Sequence, residues 1–166
     1  MTAVPRLYEA LHDRIQRGVQ QSGGLKKYLF DLTLELGRKE RVEKKPLSLT
    51  EKLSNMLVEH AVRTKVSQRF GGRLKAFVSG GAALNPDIGN FFLSLGVNIL
   101  QGYGQTEASP IISCNRLGNI RIETVGPALK DVEIKIAEDG EILVRGELVM
   151  KGYWKDPIAT KAAIKD

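Results

Sequence analysis

The stretch GVNILQGYGQTE, residues 96–107, decides the fold of this chain. Val97, Ile99 and Leu100 are apolar and lie between glycines, which predicts a short buried strand that runs into a tight polar loop. In an open α/β sheet, ligands bind beyond the carboxyl ends of the strands, where side chains leave the core. We therefore expect a binding site in the loop that follows this strand.

The residues of this loop have the chemistry that a nucleotide site needs. Tyr103 offers a flat face for a base, Thr106 a hydroxyl for phosphate, and Glu107 a hard oxygen ligand for a divalent cation. Gly102 and Gly104 permit unusual backbone angles and close approach. A packed aromatic ring, a plain glycine turn and a surface helix cap would explain the same residues without a ligand, so composition leaves both interpretations open.

The residues upstream predict a strand, a glycine-rich loop and a helix. LKAFV at residues 74–78 is the expected strand, and SGG at residues 79–81 follows it directly. Asn85 is a helix N-cap type with Pro86 in the first turn, and Gly96 closes the helix. A right-handed crossover makes the two strands parallel and brings both glycine-rich loops to one edge of the sheet. The two loops would then enclose a base from opposite sides.

The first half of the chain predicts helices. Residues 5–37 carry two apolar stripes with four-residue spacing, which predict a helical hairpin packed through leucines. Residues 38–45 are rich in charge and predict a solvated helix end or a loop. Ser48 and Glu51 form a capping box ahead of a third helix, whose apolar residues again have helical spacing.

The last quarter of the chain predicts a β hairpin. Apolar and polar residues alternate over residues 132–137, Asp139 and Gly140 signal a turn, and residues 141–150 form the returning strand. The predicted fold class is α/β: a helical hairpin and a parallel β-α-β portion of a layered sheet, followed by an antiparallel β hairpin of a small β subdomain. We assign residues 1–128 to an incomplete α/β part and residues 129–166 to the start of the β subdomain.

Charge and cysteine content narrow the classes of partner and compartment. The net charge is +6, and residues 1–75 hold 16 Lys and Arg against 8 Asp and Glu. These charges are interspersed and lack interleaved aromatics, which favours a solvated helical surface over a nucleic-acid site; contact with an anionic membrane stays an alternative. The single cysteine, Cys114, and the absence of a signal peptide favour a cytoplasmic protein, soluble or peripheral on a membrane.

Several motifs together carry a family resemblance. GYGQTE at residues 102–107 resembles the GYGxTE motif of the AMP-forming acyl-CoA synthetases, and SGGAAL at residues 79–84 resembles their SGGAPL motif. The resemblance continues through VGPA at 125–128, DGEILVRG at 139–146 and GYW at 152–154. VPRLYE at residues 4–9 and SGGLK at residues 22–26 resemble the long-chain fatty-acid branch in particular. One departure is Ala83, where the family motif has proline, which should loosen the loop slightly.

The resemblance implies a role for each residue of the two loops. The backbone of the upstream loop would line adenine, Tyr103 would stack on it, Thr106 would hydrogen-bond the α-phosphate, and Glu107 would bind Mg²⁺. The implied nucleotide-binding set is Gly80, Gly81, Ala82, Gly102, Tyr103, Gly104, Gln105 and Thr106, with Thr106 and Glu107 as the catalytic pair.

The implied activity is the conversion of a long-chain fatty acid and ATP to acyl-AMP and pyrophosphate, followed by acyl transfer to coenzyme A. The family's phosphate loop ending in lysine and its C-terminal domain are expected elsewhere in a longer enzyme, so we expect the 166 residues alone to be inactive. Two alternatives stay open. One is an adenylate-forming ligase for another carboxylic acid, and the other is a non-catalytic basic module that binds membrane or nucleic acid.

Overall fold

A computed structural model describes residues 1–165, and its elements follow the predicted order of helices, β-α-β unit and hairpin. The helices are Pro5–Ser22 (α1), Gly24–Gly37 (α2), Leu49–Val58 (α3), Thr64–Arg69 (α4), Pro86–Ser94 (α5) and Pro157–Ala163 (α6). The strands are Thr2–Ala3 (β1), Phe77–Ser79 (β2), Ile99–Tyr103 (β3), Ser113–Cys114 (β4), Glu133–Ile136 (β5) and Ile142–Arg145 (β6). The predicted α/β fold class is confirmed.

The β-α-β unit at the centre of the chain forms as predicted. Strands β1, β2 and β3 are parallel neighbours, and Phe77 of β2 pairs with Ile99 of β3. The Asn85 side chain accepts a hydrogen bond from the Asp87 amide and so caps α5, which has proline in its first turn. The predicted strand at 74–78 is displaced, because the paired residues are Phe77–Ser79.

Strand β3 is shifted toward the motif relative to the sequence pattern. The expected strand covered residues 97–100, but the observed strand begins at Ile99 and includes Gln101, Gly102 and Tyr103. Gln101 pairs with Ser79 of β2, whereas Gly102 lies opposite Cys114 and Tyr103 opposite Ser113 of β4, in antiparallel register. The strand therefore continues into the motif because β4, which begins ten residues after Tyr103, pairs with its last two residues.

The helical hairpin α1–α2 is confirmed, and most residues of its two apolar stripes are packed: Leu11, Ile15 and Val19 of α1 lie against the main core, and Leu29, Leu32 and Leu36 of α2 belong to a second cluster. Aromatic rings form the centre of the core: Tyr8 of α1 lies edge-to-face against Phe77 and Phe92, and Phe30 of α2 contacts Phe91. Leu25, the first residue of the predicted α2 stripe, is 71% exposed. The wider turn over Arg38–Val42 that extends α2 is the expected helix end.

Helix α3 turns its apolar stripe to solvent. Its predicted capping box is present, since the Glu51 amide donates to Ser48 Oγ and the Ser48 amide donates to the Glu51 carboxylate. Val58 is buried on the inner face. The large apolar residues of the opposite face are each at least 65% exposed: Leu49, Leu53, Met56 and Leu57. The spacing identified a stripe correctly, but the stripe is not the face that packs on the core.

The antiparallel hairpin is confirmed as β5 and β6, which pair from Glu133–Arg145 to Ile136–Ile142. The returning strand ends at Arg145 instead of continuing to residue 150, and residues 146–156 cross back over the motif. The division of the chain after residue 128 stays a prediction. Within residues 1–165, no helix combines the length and apolarity needed to span a membrane.

A buried arginine joins three helices of the α/β part. The Arg63 side chain is 2% exposed and donates to the main-chain carbonyls of Thr33 in α2 and Ser94 in α5. It also donates to Asn55 of α3 at 2.7 Å and to the Glu59 carboxylate at 3.0 Å. A buried charge is tolerated only when its donors are satisfied, and here four partners satisfy them.

Replacement of Arg63 by methionine keeps most of the aliphatic volume and removes these donors. We expect Arg63→Met to lower the free energy of unfolding by about 2–4 kcal/mol, measured from the midpoint of urea unfolding. Arg69→Met, at an exposed position of α4, is the matched control and should change it by less than about 0.5 kcal/mol. Equal effects of the two variants would contradict the proposed role of Arg63.

Candidate functional site

The two glycine-rich loops lie side by side, as predicted from parallel pairing. Ser79, the last residue of β2, pairs with Gln101 of β3, so both loops leave the sheet at the same edge. A side-chain carbon added at Gly80 would lie 3.9 Å from the Gly102 carbonyl oxygen. Gly81 and the following alanine, Ala82, are exposed to solvent at this edge.

A buried glutamine connects both loops to a third segment. Gln101 is 6% exposed, and its side-chain oxygen accepts a hydrogen bond of 2.6 Å from the Leu84 amide, at the end of the SGGAAL loop. Its side-chain nitrogen donates to the carbonyls of Ile122 and Thr124 at 3.0 and 3.3 Å. The side-chain amide of Gln101 therefore fixes the end of the first loop and the segment before VGPA at the same time.

Asn115, which directly follows β4, completes this polar network. Its side-chain nitrogen donates to the carbonyls of Gln101, Arg121 and Thr124, and its side-chain oxygen accepts from the Arg121 amide at 2.9 Å. Its own main-chain amide donates to Gln101 at 3.0 Å. Asn115 is 3% exposed. Its bonds therefore satisfy main-chain groups of the turn at 115–124 that would otherwise need water as a partner.

The glycines of GYG serve close chain packing, which confirms one of the two predicted reasons for them and contradicts the other, unusual backbone angles. Gly102 and Gly104 do not have positive φ, whereas Gly81 does, at φ 84°. A side-chain carbon at Gly104 would overlap the Pro110 carbonyl, and one at Gly102 would lie 3.1 Å from the Ser113 carbonyl oxygen. Both positions need glycine because the chain after the motif folds back directly over them.

Glu107 lies in a cleft between the α/β part and the β hairpin. Residues Thr106–Ala108 form one 3₁₀ turn after β3. The cleft beside the turn has a volume of about 800 Å³. All predicted site residues are within the described part of the chain. Three of them line the cleft: Tyr103, Gln105 and Glu107. The other predicted residues lie outside its lining: Gly80, Gly81, Ala82, Gly102, Gly104 and Thr106. Thr106 is exposed beside it.

The Glu107 carboxylate is held by a tyrosine from the far end of the chain. The Tyr153 hydroxyl donates to Glu107 Oε1 at 2.8 Å, and the Met150 amide donates to the Glu107 main-chain carbonyl at 2.8 Å. The bond from Tyr153 lowers the pKa of the Glu107 carboxyl, and the same bond raises the pKa of the Tyr153 hydroxyl. Glu107 is therefore a charged, oriented carboxylate at neutral pH.

A family model described as AMP-binding enzyme matches residues 1–154, which includes both loops and the Glu107–Tyr153 contact. The chain belongs to the AMP-binding enzyme family. This assignment agrees with the resemblance of the motifs, and it rests on nearly the whole length of the chain.

Curated relatives of this family cover the entire chain. A long-chain-fatty-acid–CoA ligase, FadD15 from Mycobacterium bovis, is 29% identical over 166 residues. A probable acyl-activating enzyme 16, chloroplastic, from Arabidopsis thaliana is 33% identical over 204 residues. In both comparisons 100% of this chain is covered, and the chain spans 28% of the relative's length.

Solved structures of AMP-binding enzymes share the fold. Apo MatB from Rhodopseudomonas palustris has a TM-score of 0.52 and 28% identity, over 66% of this chain and 25% of that protein. O-succinylbenzoate coenzyme A synthetase (MenE) from Bacillus subtilis, in complex with ATP and magnesium ion, has a TM-score of 0.50 and 26% identity, over 55% of this chain and 22% of that protein.

The donor set of the cleft suits a magnesium ion bound together with phosphates. Within residues 1–165, no group of three or more His, Cys, Asp or Glu side chains is placed to hold a metal by itself. Mg²⁺ prefers one or two carboxylates, with phosphate oxygens and water as its remaining ligands. An ordered carboxylate at Glu107 fits that requirement, whereas the two other carboxylates that line the cleft, Glu133 and Glu141, are paired with Arg145 and Lys165.

Sequence reasoning overlooked three residues of this site. Gln101 is a polar residue at the end of an apolar strand, and that position could have indicated a buried structural amide. Asn115 gave no signal, because its partners are formed by a turn without periodicity. Tyr153 belongs to the GYW motif, but nothing in the sequence indicates that it contacts Glu107, 46 positions earlier.

Gln101→Glu tests the network without changing the size of the side chain. A carboxylate can accept from the Leu84 amide, but it places an acceptor against the Ile122 and Thr124 carbonyls. We expect the free energy of unfolding to fall by about 2–4 kcal/mol, measured by urea titration. Gln20→Glu on the exposed face of α1 is the control, and a loss of similar size there would contradict the interpretation.

Proposed function

We propose that the complete protein is an acyl-CoA ligase that activates a long-chain fatty acid. The acid and Mg·ATP would give acyl-AMP and pyrophosphate, and coenzyme A would then accept the acyl group. The observation that carries this proposal is the oriented carboxylate of Glu107, in a cleft at the carboxyl ends of parallel strands in an AMP-binding enzyme. The MenE structure with ATP and magnesium supports the same ligands for this fold.

Different residues of the two loops are proposed to bind different parts of ATP. The exposed backbone of Gly80, Gly81 and Ala82 would line the adenine, against which Tyr103 would stack. Gly102, Gly104 and Gln105 would form the wall beneath the phosphates. This arrangement orients the nucleotide, which lowers the entropic cost of bringing the fatty-acid carboxylate to the α-phosphorus.

Thr106 and Glu107 are proposed to act on the phosphates. The Thr106 hydroxyl is exposed at the start of the 3₁₀ turn and would donate to the α-phosphate. Glu107 would hold Mg²⁺, which supplies positive charge to neutralise the phosphate oxygens while pyrophosphate leaves. The chain's own contribution is to hold both side chains on one short turn, so that a single rigid element presents them.

The acyl substrate is the least constrained part of this proposal. FadD15 is described as a long-chain-fatty-acid–CoA ligase, whereas the MenE structure belongs to an o-succinylbenzoate coenzyme A synthetase. Another carboxylic acid is therefore the alternative substrate. A panel of acids distinguishes the two, because a hydrophobic pocket gains affinity with each additional methylene that it buries.

Pyrophosphate release by the complete protein tests the activity. With ATP, Mg²⁺ and saturated fatty acids of increasing length, we expect release to rise toward long chains, and residues 1–166 alone should release none. Glu107→Gln and Thr106→Ala should each lower the rate by about a hundredfold or more. Glu9→Gln, on the exposed side of α1, is the matched control and should leave it unchanged. Absence of release with every acid would overturn the ligase proposal.

A second candidate function, attachment to an anionic membrane surface, is favoured by helix α3. Four large apolar side chains project from one face of it: Leu49, Leu53, Met56 and Leu57. Lys52 is exposed on the same helix, and residues 1–75 carry twice as many basic as acidic side chains. An amphipathic helix in a chain whose first half is basic suits the interface of an anionic bilayer, where apolar burial and charge attraction act together.

Vesicle sedimentation tests this attachment. We expect the complete protein to bind vesicles of phosphatidylglycerol and phosphatidylcholine, more weakly in high salt, and not phosphatidylcholine alone. A variant with Leu53→Glu and Leu57→Glu should lose binding, whereas Leu25→Glu, at a 71% exposed position of α2, should retain it. Equal binding by both variants, or unfolding of the first variant in the absence of lipid, would contradict a free membrane-facing surface.

A further inference from the structure

Tyr153 makes a contact in the cleft that the proposed activity has not used. Its hydroxyl lies 2.8 Å from Glu107 Oε1, although the two residues are 46 positions apart. Both line the cleft. The bond engages one oxygen of the carboxylate, and a carboxylate has a second oxygen with which it can bind a cation.

The backbone of Tyr153 is held in place by the start of α6. The Tyr153 amide donates to Thr160 Oγ1 at 2.9 Å, and that hydroxyl donates to the Asp156 carbonyl at 2.7 Å. The Asp156 side chain caps α6 by accepting from the Ala159 amide. A tyrosine fixed in this way at its backbone can place its hydroxyl at a defined point.

The residue before it adds a backbone constraint. Gly152 has φ 141°, a conformation that favours glycine, and a side-chain carbon there would lie 2.7 Å from Thr160 Cγ2. The chain at Gly152 therefore crosses α6 so closely that there is no room for a side chain at this position. Its two contacts with Glu107, from Met150 to the main chain and from Tyr153 to the side chain, fix both the position and the rotation of the carboxylate.

We propose that Tyr153 is a positioning residue, whose hydroxyl sets the orientation in which the Glu107 carboxylate binds the magnesium ion of Mg·ATP. Groups that hydrogen-bond a metal ligand set its orientation, and their loss typically lowers metal affinity or activity by about 10- to 100-fold. This inference rests on the proposed role of Glu107. It adds that the GYW segment serves the cation, although it lies far from the motif in sequence.

The test is the dependence of ATP affinity on magnesium, measured by calorimetry on the complete protein with excess Mg²⁺ or with EDTA. In the unchanged protein, we expect Mg²⁺ to tighten ATP binding. Tyr153→Phe keeps the ring and removes the hydroxyl, and it should reduce this tightening by about tenfold while metal-free ATP affinity stays the same. Tyr28→Phe, at a 62% exposed position of α2, is the control and should behave as the unchanged protein.

Glu107→Gln separates failure of this inference from failure of the proposed function. If Glu107→Gln abolishes the magnesium effect and Tyr153→Phe preserves it, Tyr153 does not position the ligand and only this inference is overturned. If Glu107→Gln leaves the effect intact, the role of Glu107 itself is wrong. A Tyr153→Phe variant that weakens ATP binding equally with and without Mg²⁺ has lost packing, which also overturns the positioning role.

If the proposal holds, Tyr153→Phe has no further effect in the Glu107→Gln background. Two changes that remove the same interaction are not additive, whereas independent defects would add. Additive losses in the double variant would show that the hydroxyl acts on the nucleotide through another group, and would overturn the proposal.

Discussion

The buried side chain of Gln101 is the interaction on which the candidate site depends. It lies where β3 leaves the apolar core, and its amide group satisfies one main-chain donor and two main-chain acceptors from separate loops. A buried polar group without partners costs about 1–3 kcal/mol, so any displacement of these loops leaves such a group behind. The end of the upstream loop and the segment at 122–124 are therefore held by hydrogen bonds to a strand, in addition to the burial of Leu84 and Ile122.

The part of the fold that follows from the sequence is the part whose signals are local. The cap at Asn85 with Pro86, the glycine-bounded apolar strand and the turn at Asp139-Gly140 each specify a structure within a few residues. Parallel pairing then follows from the chain crossing over a helix between two strands. The common edge of the two glycine-rich loops could be predicted for that reason, before any side-chain contact was known.

The rest depends on contacts between distant segments, about which periodicity says nothing. Spacing identifies a stripe on a helix but does not state which partner covers it, and Leu25 and the outer face of α3 are exposed for that reason. Likewise, β3 extends to Tyr103 because β4 pairs with Gly102 and Tyr103. In the sequence, nothing distinguishes the buried Arg63 from an ordinary surface charge. The groups that accept its hydrogen bonds belong to three other elements: main-chain carbonyls of α2 and α5 and a side chain of α3.

Glu107 shows how the two kinds of information combine at the site. The motif predicts a hard-oxygen ligand at this position, and the pattern of the preceding residues predicts that it follows a strand. The orientation of its carboxylate depends on Tyr153, which in turn depends on Gly152 and on the capped start of α6. A motif therefore specifies which chemical group is present, whereas a distant segment specifies where that group is directed. A cation that takes only one protein ligand is sensitive to that direction, because no second side chain compensates for a misplaced carboxylate.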